Sequence, residues 1–132
     1  MPLVSVIIPT YNRASVLQRA IRSVFVQTFR DFELIVVDDG SSDSTTDLLE
    51  SFDGKLKAVV QKNHGVSAAR NLGIKRSTGA LLAFLDSDDE WLPEKLARQT
   101  ALFDGKKAAT GNESLDRVLV VGAVTNAGFR SK

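Results

Sequence analysis

Three carboxylates lie within four residues, at Asp86, Asp88 and Asp89, directly after the apolar run ALLAFL at 80–85. Carboxylate oxygens are ligands for hard divalent cations, and such a cation can bridge a protein to a diphosphate. The alternative is a turn that caps the next helix, but a cap needs one carboxylate, whereas three neighbouring carboxylates repel one another. The spacing therefore predicts a cation site whose ligands are Asp86 and Asp88, which are separated by one residue.

A second acidic turn, DDGS at 38–41, follows the apolar run FELIVV at 32–37. A carboxylate at this place can accept a hydrogen bond from a base N–H or a ribose hydroxyl. A helix-capping turn is the alternative interpretation, but the side chains of 41–43 already supply caps. Asp38 and Asp39 are therefore expected to be available to a ligand, with Asp39 recognising the nucleoside.

Two further polar segments, PTYN at 9–12 and HGVSAARN at 64–71, contain side chains that suit a nucleotide. Tyr11 can stack on a base, unless it only covers the sheet edge. Arg70 can pair with phosphate oxygens, although an arginine on a helix is often solvated surface. We interpret the lone His64 as a loop residue and not as a metal ligand.

Apolar runs of strand length alternate with segments of helical periodicity, and these elements must position the polar residues. Continuous apolar strands, as opposed to alternating ones, are typical of a parallel sheet covered on both faces. Ligands of such sheets bind beyond the carboxyl ends of the strands. The prediction is a Rossmann-like doubly wound α/β fold with a mainly parallel sheet. The predicted strands are 3–8 (ended by Pro9), 32–37, 56–60, 80–85 and 118–124.

The helices between them have predicted boundaries as well. Asn12 or Ser15 is expected to cap the first helix, and one of residues 42–44 the second. The third helix is expected to end near Gly79, and Pro93 to be the first residue of the last helix.

Composition excludes several classes of protein. A net charge of +1 without a basic stripe argues against a nucleic-acid partner, and the lack of cysteine excludes disulfides and thiolate metal sites. No apolar run approaches the length of a transmembrane segment, so we expect a soluble, cytoplasmic protein. The first turn lacks the glycines of a dinucleotide-binding loop. A phosphoryl-accepting receiver domain would need its acidic pair after the first strand, whereas here the pair follows the second.

Taken together, the motifs resemble the inverting family 2 glycosyltransferases of the GT-A fold. The resemblance covers about residues 2–103 and lies in four segments that occur in the family's order and at its spacing. These are VSVIIPTYNR at 4–13, SVFVQTFRDFELIVVDDGSSDST at 23–45, HGVSAARNLGI at 64–74 and FLDSDDEWLPEKL at 84–96.

The resemblance implies a role for each matching residue. Those that hold the base and ribose of a nucleotide sugar are Pro9, Thr10, Tyr11 and Asp39. Arg70 would lie near the nucleotide phosphates or base. Asp86 and Asp88 would form the D-x-D motif, with Asp86 also contacting the donor and Asp88 meeting Mn²⁺ or Mg²⁺ most directly. Uracil is the base that the resemblance favours, so the expected donor is a UDP sugar.

The resemblance ends near residue 103, which divides the chain into a nucleotide-sugar-binding domain at 1–104 and a loop plus final strand at 105–132. The first part has 12 basic and 14 acidic residues, whereas the second has 5 basic and 2 acidic. Family members continue into an acceptor-binding half that carries the catalytic carboxylate base. The acids left here, Glu113 and Asp116, do not resemble that base.

We therefore expect this chain to be too short for the whole enzyme and inactive in transfer by itself. The whole enzyme would transfer the sugar with inversion to a sugar or glycan acceptor, which the sequence does not identify. Self-association through the uncovered side of the sheet is a further expectation. The competing hypothesis is a truncated module that binds a nucleotide sugar and performs no chemistry.

Overall fold

The computed structural model describes residues 2–101, which form a four-stranded parallel sheet with helices on both faces. The elements in chain order are β1 (Val4–Thr10), α1 (Ala14–Phe25), β2 (Phe32–Asp38), α2 (Thr45–Glu50), β3 (Lys57–Val60), α3 (Val66–Arg76) and β4 (Leu81–Phe84). Residues 95–101 form a further helical segment. The strand order is β3-β2-β1-β4, so the chain crosses to the other side of β1 after β3. The predicted strand at 118–124 and the whole of 105–132 lie outside the described residues.

Strands β1, β2 and β4 consist mainly of apolar residues, as expected for a sheet that is covered on both faces. In β2, Leu34 and Val36 join the larger core beneath α1, α2 and the last helix. The intervening Ile35 and Val37 join a smaller core on the other face, where Ala69 of α3 packs. All seven residues of the central strand β1 are buried. The predicted doubly wound α/β fold is thus confirmed for the part of the chain that the structure describes.

The first strand extends past its predicted end at Pro9. The Ile7 carbonyl accepts from Leu85 N on the β4 side at 3.1 Å, and successive residues of a strand point their backbone groups to opposite sides. Pro9, two residues on, therefore faces the β4 side, where β4 has already ended opposite Ile7. The missing N–H removes no bond of the sheet, so the strand continues to Thr10.

The helix ends also differ from prediction. Neither Asn12 nor Ser15 caps α1; the cap position is residue 13, and the N–H of Ala14 donates to Asp43 Oδ2 at 3.2 Å. Asn12 Oδ1 instead accepts from Ser42 N at 2.8 Å, which joins the loops that follow β1 and β2. The N-cap of α2 is residue 44, within the predicted range, although its side chain makes no capping bond.

Two later boundaries are corrected as well. Helix α3 ends at Arg76, before the predicted end near Gly79. Pro93 lies in a turn, and the last helix begins at residue 95. None of the helices in residues 2–101 has the length and apolar character needed to cross a membrane.

Glu33 connects the amino-terminal ends of the strands, opposite the end where the acidic turns lie. Its carboxylate accepts from the Ser5 hydroxyl, from the Thr78 N–H at 2.7 Å and from Lys57 Nζ at 2.8 Å. Burial of this side chain, which is 12% exposed, opposes ionisation. The hydrogen bonds outweigh burial and hold the pKa of Glu33 at about 2, below its ordinary value of 4.5.

We expect the Glu33→Gln variant to be about 2 kcal/mol less stable than the parent chain at pH 7. Since the folded-state pKa of Glu33 is depressed, its contribution is complete above about pH 4.5 and disappears as the pH falls towards 2. Urea denaturation at pH 7 and at pH 3 measures both values. The exposed Glu50→Gln change is the control and should stay within about 0.5 kcal/mol of the parent. An equal deficit at the two pH values would contradict the ion-pair explanation.

Candidate functional site

The carboxyl ends of β1, β2 and β4 meet at one cleft of about 390 Å³. They converge because β1 lies between β2 and β4 in a parallel sheet, and the first turns of α3 form the other wall. The seven residues to which the resemblance gives a donor or metal contact all line this cleft: Pro9, Thr10, Tyr11, Asp39, Arg70, Asp86 and Asp88. The fold thus gathers residues that are up to 79 positions apart in the chain.

Asp39 lies at the wall of the cleft with only 5% of the residue exposed, and its carboxylate is already hydrogen-bonded. Oδ1 accepts from Gln61 Nε2 at 2.7 Å and from His64 N at 2.8 Å, and Oδ2 accepts from Gly65 N at 3.0 Å. Burial acts to raise the pKa of Asp39, but these bonds outweigh it and the pKa is lowered. Asp39 therefore holds the loop before α3 in place and remains ionised at neutral pH.

Asp38 does not fulfil the expectation that it is available to a ligand. It is 1% exposed, and its Oδ1 accepts from Ser41 N at 3.0 Å, which closes the turn after β2. Side chains of a strand alternate between the two faces, so Asp38 and Asp39 point to opposite sides. Of the two carboxylates, Asp39 is the one that lines the cleft.

The acidic run after β4 brings three carboxylates together. One oxygen each of Asp86, Asp88 and Asp89 lies within 4.8 Å of the others. Ser87 is 6% exposed, whereas the Asp86 and Asp88 side chains on either side of it are both 53% exposed at the cleft. An all-oxygen, carboxylate-rich set of this kind fits Mn²⁺ or Mg²⁺. The predicted cation ligands are therefore adjacent in space, and their role stays a prediction.

Each carboxylate of the predicted pair lies beside an arginine. Arg70 Nη2 is 3.2 Å from Asp86 Oδ1, and Arg13 Nη1 is 3.0 Å from Asp88 Oδ2. These ion pairs are about half exposed, so each contributes little to stability, on the order of 0–1 kcal/mol. The ion pairs matter for the charge of the cleft, because they place two guanidinium groups beside the position where an anionic ligand would meet Asp86 and Asp88.

Sequence reasoning assigned no role to Arg13, although it follows the PTYN segment directly. Its partner Asp88 is 75 residues away, and only the pairing of β1 with β4 brings the two strand ends together. The one available signal was the position of Arg13 just beyond the carboxyl end of a predicted strand, where ligand-binding residues collect.

The rest of the cleft combines apolar and polar surface. Tyr11 and Val66 are 46% and 50% exposed and line it, together with the buried residue Ala69. Thr10 Oγ1 is buried and has no hydrogen-bond partner among residues 2–101. His64 lies in the loop before α3, as predicted, and contributes its backbone N–H to Asp39. The cleft can therefore accommodate a ligand with a flat apolar part, a polar middle and an anionic end.

Comparisons with known proteins find similarity over most of this chain. Residues 5–112 match the sequence pattern of glycosyl transferase family 2. An Escherichia coli relative, the UDP-Glc:alpha-D-GlcNAc-diphosphoundecaprenol beta-1,3-glucosyltransferase WfgD, is 41% identical over 102 residues, which are 76% of this chain and 40% of that protein. The chain spans less than half the length of the curated relatives that it matches.

Two solved structures have the same fold. TarS of S. aureus (residues 1–349), solved in complex with UDP-GlcNAc, aligns with a TM-score of 0.70 at 34% identity and covers 78% of this chain and 31% of its own. The mannosyltransferase PcManGT of Pyrobaculum calidifontis, solved with GDP-Man and Mn²⁺, aligns with a TM-score of 0.67 at 26% identity. That alignment covers 75% of this chain and 31% of the mannosyltransferase.

Proposed function

This chain belongs to glycosyl transferase family 2, and we propose that its cleft binds the donor of the reaction, a nucleoside diphosphate sugar, together with a divalent cation. The observation that carries the proposal is the composition of this single cleft. It combines an exposed aromatic ring and a held carboxylate, Tyr11 and Asp39, with the carboxylate pair Asp86 and Asp88.

The nucleoside part of the donor is assigned to Tyr11 and Asp39. Tyr11 presents an exposed ring on which a base can stack. Asp39 Oδ2 accepts one hydrogen bond, from Gly65, and a carboxylate oxygen can accept a second. Uridine is the favoured nucleoside, in line with the UDP-GlcNAc bound to the structural neighbour TarS.

The diphosphate part is assigned to the carboxylates Asp86 and Asp88, which would hold Mn²⁺ or Mg²⁺. The Mn²⁺ in the mannosyltransferase neighbour supports a cation of this kind. When bound, it supplies Lewis-acid stabilisation of the charge that develops on the leaving diphosphate. The neighbouring guanidinium groups of Arg13 and Arg70 are placed to contact phosphate oxygens once a cation neutralises the carboxylates.

The proposed reaction of the whole enzyme is displacement at the anomeric carbon with inversion. It needs a carboxylate on the acceptor side that removes the proton of the attacking hydroxyl. We assign no such base within residues 2–101. The competing function is a module that binds a nucleotide sugar and does no chemistry, and an assay of transfer separates the two.

Titration calorimetry of the 132-residue chain with UDP in the presence of Mn²⁺ tests donor binding. Binding that is unchanged in Glu50→Gln, a variant of an exposed residue of α2 outside the cleft, supports the proposal. Guanosine diphosphate, titrated in parallel, tests the base preference. If neither nucleotide binds, the donor-site assignment is wrong.

We expect Asp39→Asn to weaken the binding of uridine and of UDP by the same factor, about tenfold or 1.4 kcal/mol. The amide keeps an acceptor for Gln61 and His64, but an NH₂ group replaces the oxygen that accepts from Gly65 and would meet the nucleoside. Ligand-observed NMR titration measures both affinities. Thermal melting measures how much stability the variant loses when the loop before α3 is held less firmly. Loss of UDP binding with unchanged uridine binding would contradict the assignment of Asp39 to the nucleoside.

A further inference from the structure

Gln27 connects the end of α1 to the segment that follows the acidic run. Its side chain is buried, with 1% of the residue exposed. Nε2 donates to the Leu92 carbonyl at 2.7 Å and to the Ser23 carbonyl at 3.0 Å, and Oε1 accepts from Leu96 N at 3.0 Å. The side-chain amide therefore uses both of its ends, and the contacts to Leu92 and Leu96 span more than 60 residues of sequence.

These contacts satisfy backbone groups that helices leave unpaired. Leu96 lies in the first turn of the helix at 95–101, where N–H groups have no partner within the helix. Ser23 lies in the last turn of α1, where carbonyl groups have no hydrogen-bond donor within the helix. Because one buried amide serves both helix ends, it sets their relative position. The next residue adds a backbone contact, from Thr28 N to the Pro93 carbonyl at 2.9 Å.

The segment between β4 and that last helix carries Asp86 and Asp88. It is attached to the sheet at its start, where Leu85 N donates to the Ile7 carbonyl at 3.1 Å, and to α1 at its end through Gln27. Between these points the Trp91 side chain, 3% exposed, packs in the larger core, and Arg19 reaches Glu90 at 3.7 Å, with both of those side chains about half exposed. Exposed ion pairs hold a segment weakly, whereas buried hydrogen bonds hold it firmly.

We propose that Gln27 is a positioning residue for the cation and diphosphate site. It touches neither ligand in this assignment. It anchors the end of segment 86–94 so that the Asp86 and Asp88 carboxylates stay together at the cleft. The inference rests on the proposed function, because it concerns the same cation site. Residues that orient the ligands of a metal ion commonly affect its affinity although they do not touch it.

Gln27→Met tests the proposal, since methionine has a similar length and makes none of the three hydrogen bonds. UDP affinity is measured by calorimetry with Mn²⁺ and with a chelator, and the ratio of the two affinities is the metal-dependent gain. Mn²⁺ binding is followed separately by the loss of the free-ion electron paramagnetic resonance signal. We expect the gain to fall by about tenfold and Mn²⁺ binding in the presence of UDP to weaken in parallel. Uridine affinity, which depends on the other end of the cleft, should change by less than about twofold.

Two variants control for general destabilisation, and a third is a second test of the proposal. Glu33→Gln removes buried side-chain contacts at the opposite end of the strands, and Thr28→Val removes a hydroxyl beside Gln27 while keeping the backbone bond to Pro93. Both should retain the metal-dependent gain. Gln27→Asn withdraws the amide by one methylene and should lose part of the gain, which keeps the proposal testable if Gln27→Met does not fold.

Two results would overturn the positioning role. One is a full metal-dependent gain in a folded Gln27→Met or Gln27→Asn chain. The other is an equal loss in Glu33→Gln, which would identify stability and not position as the cause. Failure of the proposed function gives a different result, because the UDP affinity of the parent chain itself would then not increase with Mn²⁺. That result would contradict both the cation site and the positioning role of Gln27.

Discussion

A polypeptide of these 132 residues is expected to bind a UDP sugar and to transfer no sugar to added acceptors at a measurable rate. Among residues 2–101, the carboxylates that line the cleft are Asp39, Asp86 and Asp88. Asp39 is held by three hydrogen bonds, and the other two are assigned to the cation. None of them is left to take a proton from an acceptor hydroxyl.

The expected size of this deficit follows from two contributions to which we assign no residue among 2–101. General-base assistance is typically worth about 10²–10⁴ in rate. Positioning of the acceptor is worth about 7–11 kcal/mol in favourable cases. A polypeptide in which neither contribution is supplied should be inactive in transfer, although attack by water on the bound donor needs no acceptor site and can persist slowly.

The measurement is an assay of UDP release and of glycosylated product with several nucleotide sugars and a panel of sugar acceptors. UDP release that does not depend on acceptor reports hydrolysis and agrees with the prediction. Metal-dependent formation of glycosylated product would contradict it. Glu113→Gln and Asp116→Asn would then show whether residues beyond 101 supply the base, and a rate per chain that rises with protein concentration would point to a second copy.

Removal of divalent cations is expected to weaken UDP binding by about 100-fold, or about 3 kcal/mol. Without a cation the diphosphate faces the like charges of Asp86 and Asp88, whose arginine partners at 3.2 and 3.0 Å neutralise them only in part. Asp88→Asn should lose most of the gain from Mn²⁺ or Mg²⁺. Its UDP affinity in chelator should not fall, since the change removes a negative charge next to the ligand.

The fold should survive this substitution, because the Asp88 side chain is 53% exposed and its ion pair with Arg13 lies at the surface. Calorimetry with Mn²⁺, with Mg²⁺ and with chelator supplies the affinities, and thermal melting confirms folding. Asp89→Asn, measured alongside, tests whether the third carboxylate of the cluster takes part. Equal UDP affinity with and without cations in the parent chain would contradict the proposal that a divalent cation takes part in donor binding.

Local pattern was sufficient for the class of fold and for the general position of the site. Strands buried on both faces consist mainly of apolar residues, and this property is visible in the sequence of the segments that form β1, β2 and β4. A parallel sheet collects its polar strand ends at one edge. It follows that the side chains after β1, β2 and β4 could be assigned to one cleft from the sequence, Tyr11, Asp39 and Asp86 among them.

Strand ends and helix caps were predicted less well, because each depends on a neighbour in space. Proline ordinarily ends a strand, yet Pro9 is tolerated because β4 stops before reaching it. Asn12 is a good capping residue, yet it bonds to the loop after β2, and Asp43 from that loop serves α1. The local preference is thus overridden by the absence of a neighbouring strand at Pro9 and by partners from the loop after β2 at Asn12 and at the start of α1.

The sequence by itself therefore determined a doubly wound α/β domain and most of the residues at its cleft, because the burial of a strand and the place where it ends are reflected in residue type and spacing. Only the tertiary structure decided how those residues are held. It pairs Arg13 with Asp88, uses Asp39 to hold the loop before α3, and joins Gln27 to the segment after the acidic run. These are hydrogen bonds and ion pairs between residues 25 to 75 positions apart. Their partners are selected by the crossing of the chain from β3 to β4 and by the packing of helices, which no local pattern encodes.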